Sequence, residues 1–157
     1  MELQHQHSNI SHLIRKFESI GYEYFDVKSE DDLVANLRRQ IESVNQTTFS
    51  DVDFVKVMGH VSILERDVDS AQGSDYLEVQ RNCGATMLVH LLNRSEMKKN
   101  KFQFARKLFG KNEKADPYEV VLYVNGLPFA NVNLKNMDYL VSSSSKKINS
   151  YSTVSNL

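Results

Sequence analysis

The chain has 157 residues, enough for one domain with a core but not for two, and its 41% hydrophobic and 25% charged content is that of a globular protein. No apolar run nears the roughly 18 residues that cross a bilayer, and the opening MELQHQHSNIS lacks the basic and apolar regions of a signal peptide, so a cytoplasmic chain without a membrane partner is expected. The net charge of -1 conceals a basic segment: from Arg94 to Lys114 eight basic residues face two acids, a local +6 that leaves -7 for the remainder.

Residues 9 to 20 predict a helix with the stripe Ile10, Leu13, Ile14, Phe17 and Ile20, ended by Gly21. The His5 and His7 pair before it reads as part of a flexible tail. GYEYF (21 to 25) reads as a short strand. A second helix opens at Ser29 with Asp32 three residues on, and its stripe is Leu33, Val34, Leu37, Ile41 and Val44. Ser50 and Asp53 repeat that capping pattern before Phe54, Val55, Met58 and Val61. Residues 62 to 84 are weakly patterned and read mostly as loop. Cys83 cannot form an internal disulfide and reads as a small apolar filler in a reduced compartment. TMLVHLL (86 to 92) predicts a buried strand, and KFQFA (101 to 105) an alternating one. His60 and His90 have no second ligand at metal spacing and read as structural or surface residues.

Asp116-Pro117 marks a break before the most organised stretch, EVVLYVNGLPFANVNLKN (119 to 136). Its Asn125-Gly126 suits a tight hairpin turn. The second strand alternates, with Ala130, Val132 and Leu134 on one face and Phe129, Asn131, Asn133 and Lys135 on the other. With a three-residue connection, Asn125 to Leu127, Glu119 lies directly opposite Asn133. Two readings of this polar face stay open. It is a wet sheet face, or it is a site for metal-dependent phosphodiester chemistry, where carboxylates hold Mg²⁺ and a lysine orients water. Downstream, Met137, Leu140, Val141 and Ile148 fall at roughly helical spacing, interrupted by four serines. No Gly-rich phosphate loop is present in the sequence.

The run VVLYVNGLPFANVNLK resembles the signature strand pair in the N-terminal nuclease region of the R (restriction) subunit of type I restriction-modification enzymes. The likeness extends to FESIGYEYFDVKSEDDLVANLRRQIESVNQTTFSD, with its GYE and its LxANxRxQ helix, and to NRSEMKKNKFQ. The resemblance implies an α/β fold of the restriction-endonuclease-like PD-(D/E)xK kind, a central mixed sheet flanked by helices, over residues 9 to 151. Residues 1 to 8 would be a flexible start and 152 to 157 a truncated tail. It implies Mg²⁺-dependent cleavage of DNA alongside M (methylation) and S (specificity) subunits. ATP would enter only through a translocase part that this chain lacks, encoded separately or lost.

Carried over by position, the first metal acid falls on Glu119 and the catalytic lysine on Lys135. The second metal acid falls on Asn133, an amide, so the site loses a negative charge. A following Gln-x-x-x-Tyr element falls on Lys147 and Tyr151, keeping only the tyrosine, and Asp116 is the alternative first acid. These losses point to a weak or inactive nuclease. The alternatives are a non-catalytic DNA-binding or assembly module, using Lys98, Lys99, Lys101, Arg106 and Lys107, and a vestigial product of a split gene.

Overall fold

The computed structural model describes residues 11–12, 14–66, 75–108 and 119–133, with the side chains of 63–66 left out. Lys135, Lys147, Tyr151, Asp116, His5, His7 and the downstream helical pattern therefore lie outside the described residues.

Helix α1 comprises residues 11–12 and 14–19. Gly21, at φ 95°, ends it: its amide donates to the Glu18 carbonyl and the Tyr22 amide to that of Phe17, the paired bonds of a Schellman motif. The chain reverses there, which leaves Ile20 65% exposed rather than on the expected buried stripe. Strand β1 (Glu23–Tyr24) follows. Helix α2 (Glu30–Asn45) opens with the expected reciprocal box, the Ser29 hydroxyl accepting from the Asp32 amide while Asp32 accepts from the Ser29 amide. Its buried face is Asn36, Leu37 and Ile41; Val34 is exposed.

Helix α3 (Asp51–Arg66) buries Phe54, Val57 and Val61. Val55, placed on the stripe by spacing alone, is 69% exposed, and Val57 takes its place, because i+3 from Phe54 rather than i+1 faces the core. The Ser50 hydroxyl accepts from the Asp53 amide as expected. The Asp53 carboxylate, however, is buried against the Arg81 and Asn82 turn of the next hairpin instead of closing a box.

The end of α3 and that hairpin correct the described part of the loop expected over 62 to 84; residues 67–74 lie outside the described residues. Strands β2 (Tyr76–Gln80) and β3 (Thr86–His90) pair antiparallel as a separate two-stranded sheet. Only alternate residues are buried, Leu77 opposite Val89 and Val79 opposite the half-buried Met87, with Leu91 next along, so 86 to 92 is not buried on both faces. Helix α3 packs on β2 and α2 on β3, closing a core of Leu37, Ile41, Phe49, Phe54, Val57, Val61, Leu77, Val79, Val89 and Leu91. Cys83 is exposed, not an apolar filler, because it sits in the β2–β3 turn with Gly84 at φ 86°.

The second unit is a mixed four-stranded sheet of order β1-β4-β5-β6, with β4 (Phe102–Arg106), β5 (Glu119–Val124) and β6 (Leu127–Asn133). Strand β1 runs parallel to β4 and the other pairs are antiparallel. One face joins Phe104, Val120 and Leu122 to Phe17 of α1, with ring centroids of Phe17 and Phe104 5.1 Å apart. Burying a phenylalanine contributes about 1.5–3 kcal/mol, against typically about 1 kcal/mol for a helix cap. Packing thus places α1 more than its ends do. The other face joins Ala105, Val121 and Tyr123 to Phe25, Val27 and Leu33.

Candidate functional site

The β5–β6 turn takes two residues, not three. Asn125 at φ 51° and Gly126 at φ 81° both have the positive φ of a type I′ turn, and Val124 pairs with Leu127. Beyond Tyr123↔Pro128 the ladder shifts by one, leaving Phe129 as the extra residue of a bulge before Leu122↔Ala130. Pro128 is tolerated because β6 is an edge strand among the described residues. Phe129 packs with Ala130 and Val132 on the α1 face, not on the polar face where plain alternation put it.

The turn is also an anchor. Asn125 is fully buried; its side-chain amide donates to the Leu91 carbonyl at 2.9 Å and to Asn100 Oδ1 at 2.8 Å, and its Oδ1 accepts from the Lys101 amide at 2.8 Å. Gly126 lies against the backbone of α2, where an added Cβ would meet Leu37 Cα at 2.6 Å. Hairpin, helix and the start of β4 are thereby held at one point.

At the far end of the hairpin the bulge has set Glu119 directly opposite Asn133, as the longer turn would have done. One residue past β4, the Lys107 amide donates to the Glu119 carbonyl at 3.0 Å, and Lys107 Nζ lies 3.1 Å from Glu119 Oε2. By alternation, Lys107, Glu119 and Asn133 form a row across three strands on the face of Ala105, Val121 and Tyr123. Deeper on this face Gln103, 2% exposed, exchanges amide bonds with Asn36 of α2 at 3.0 and 3.3 Å. Tyr123 is pushed up to about 12 by burial, so it stays protonated at neutral pH.

Among the described residues, the basic segment does not form a continuous cationic surface. Lys99 pairs with Glu96, Lys101 with Glu23, Arg94 with Asp75 and Lys107 with Glu119. Lys98 and Arg106 are exposed, and Arg106 projects to the opposite face of the sheet from Lys107. His60 and His90 are exposed as well.

Among the described residues, no three of His, Cys, Asp and Glu gather to hold a metal. On the candidate row the carboxylate is already paired with an ammonium and its cross-strand partner is an amide. Mg²⁺ is usually held through one or two carboxylates with several waters, and this described donor set does not fit it. Sequence reasoning missed Lys107 as the partner of Glu119, because the two are twelve residues apart and meet only through the ladder. It also missed the Asn36–Gln103 pair, although both are polar residues on the buried faces of their elements. No helix among the described residues is long and apolar enough to cross a membrane.

A family model described as type I restriction enzyme R protein N terminus matches residues 6–156. The chain is 26% identical over 146 residues to the type I restriction enzyme EcoprrI endonuclease subunit of Escherichia coli, covering 89% of this chain and 47% of that subunit. It is 21% identical over 140 residues to the SauCOLORF180P endonuclease subunit of Staphylococcus aureus strain COL, and equally to SauMSSORF170P of strain MSSA476, covering 86% of this chain and 15% of each. It thus spans about half the length of the first relative and far less of the others. With nearly every residue inside the match, the chain belongs to the family of type I restriction enzyme R protein N-terminal regions.

Proposed function

We propose that this chain is the PD-(D/E)xK nuclease-fold portion of a type I R subunit and that, on its own, it cleaves DNA weakly or not at all. The row Lys107–Glu119–Asn133 carries the reading, since it offers one compensated carboxylate where metal-dependent cleavage calls for more negative charge. Lys135, Tyr151 and the altered Lys147 are the remaining members of the proposed set, with Asp116 as alternative acid. In the intact assembly the subunit would act on unmodified foreign DNA with M and S subunits, and ATP-driven translocation would belong to another part of the subunit. Plasmid cleavage with Mg²⁺ or Mn²⁺ tests this. Little or no cutting is expected, and robust cutting abolished by Lys135→Ala overturns the proposal.

A second reading, a non-catalytic DNA-binding or assembly module, draws support from the exposed Lys98 and Arg106. A DNA gel shift that weakens with salt, and further in Lys98→Ala/Arg106→Ala, would favour it over a vestigial product.

A further inference from the structure

Glu119 is the single carboxylate on the described row, and what holds it is a side chain from the neighbouring strand. The backbone bond from the Lys107 amide to the Glu119 carbonyl makes the two residues cross-strand partners. The ammonium is therefore delivered by the ladder and does not depend on a wandering loop. Both side chains are about one-third exposed, 32% and 30%, so the pair is partly shielded yet within reach of solvent ions. Arg106 points to the other face, while Lys99, Lys101 and Arg94 engage acids elsewhere. Lys107 is thus the basic residue of the 94–108 segment that meets this row.

Charge bookkeeping on the row is informative. One ammonium, one carboxylate and one amide sum to zero, so a divalent ion added there would leave a net +2. Two carboxylates without the lysine would balance the same ion completely. Restoring an acid at position 133 therefore corrects only half of the deficit.

We infer that Lys107 is the resident cation of this site: its ammonium occupies the Glu119 carboxylate and closes the row to divalent metals independently of Asn133. The inference rests on the proposed loss of metal-dependent cleavage and adds a second, separable cause.

Mn²⁺ binding to the full 157-residue chain, followed by electron paramagnetic resonance, tests it without reference to cleavage. The wild-type chain and Asn133→Glu should bind weakly. Asn133→Glu/Lys107→Met, which keeps the alkyl stem and removes the charge, should bind about tenfold or more tighter than Asn133→Glu alone. Asn133→Glu/Lys107→Arg should remain at the Asn133→Glu level. Equal affinity of Asn133→Glu and its Lys107→Met double variant, or an equal gain with Lys107→Arg, overturns the role of Lys107. Lys107→Gln serves in place of Lys107→Met should circular dichroism show that variant misfolded. Tight wild-type binding abolished by Glu119→Gln would instead overturn the functional reading itself.

Discussion

The two hairpins are both fastened to a helix, but by opposite physics. The β5–β6 turn is buried and pinned by shape and neutral hydrogen bonds: Gly126 against the backbone of α2, Asn125 among Leu91, Asn100 and Lys101. The β2–β3 turn is largely exposed and pinned by charge, Asp53 at the start of α3 accepting from the Asn82 amide and pairing with Arg81. Burial works against the Asp53 charge, but the Asn82, Ser50 and Arg81 contacts outweigh it and hold the carboxyl below the usual range. The turn of the hairpin that carries the candidate site is therefore held by contacts indifferent to pH and salt, and the outer turn by one that is not.

The sharpest way to break this contrast is Gly126→Ala. A methyl at 2.6 Å from the Leu37 backbone, added to an unfavourable φ, should cost about 3 kcal/mol or more in urea unfolding. A loss below about 1 kcal/mol would mean the turn does not bear on α2. Asn125→Ala leaves the Lys101 amide and the Leu91 carbonyl without a buried partner and should cost about 2–3 kcal/mol. In the outer hairpin, Val89→Ala should cost about 2 kcal/mol, since Val89 is fully buried. Its neighbour Leu88, 51% exposed, should tolerate Leu88→Ser within about 0.5 kcal/mol.

The acid response is smaller and confined to one turn. Because the Asp53 pKa is depressed on folding, its stabilisation is complete above the ordinary aspartate value of about 3.9 and is lost as pH falls through the lower folded-state value. Titrated by NMR, the Asn82 amide should move in that acid window while the Asn125 side-chain amide does not. Asp53→Asn should abolish the Asn82 response.

What could be read from the chain in advance was local. Gly21 at the end of α1, the Ser29/Asp32 box and the Asn125-Gly126 turn are each settled by neighbouring residues, and all three stand in the structure. Strand β2 was illegible because Tyr76, Glu78 and Gln80 stay exposed, leaving two apolar residues as its whole signal. Val57 rather than Val55 was legible in principle, since i+3 and not i+1 shares the face of Phe54, and the structure buries it there. At the candidate site, Glu119 opposite Asn133 was reached through a three-residue connection that the structure does not have, and the bulge at Phe129 restores the same pairing. Lys107 was not legible, because its place depends on the β4–β5 register, which no local motif encodes.

The bulge at Phe129 has one further effect. With a two-residue turn and an uninterrupted ladder, the residue across from Glu119 would be Val132, and Asn133 would point toward α1. One residue of slack sets the phase of the strand. Drawing Phe129 into the ladder, with no residue removed, would exchange an amide for an isopropyl group beside the carboxylate without any substitution at position 133, whereas deleting Phe129 would leave Asn133 where it is.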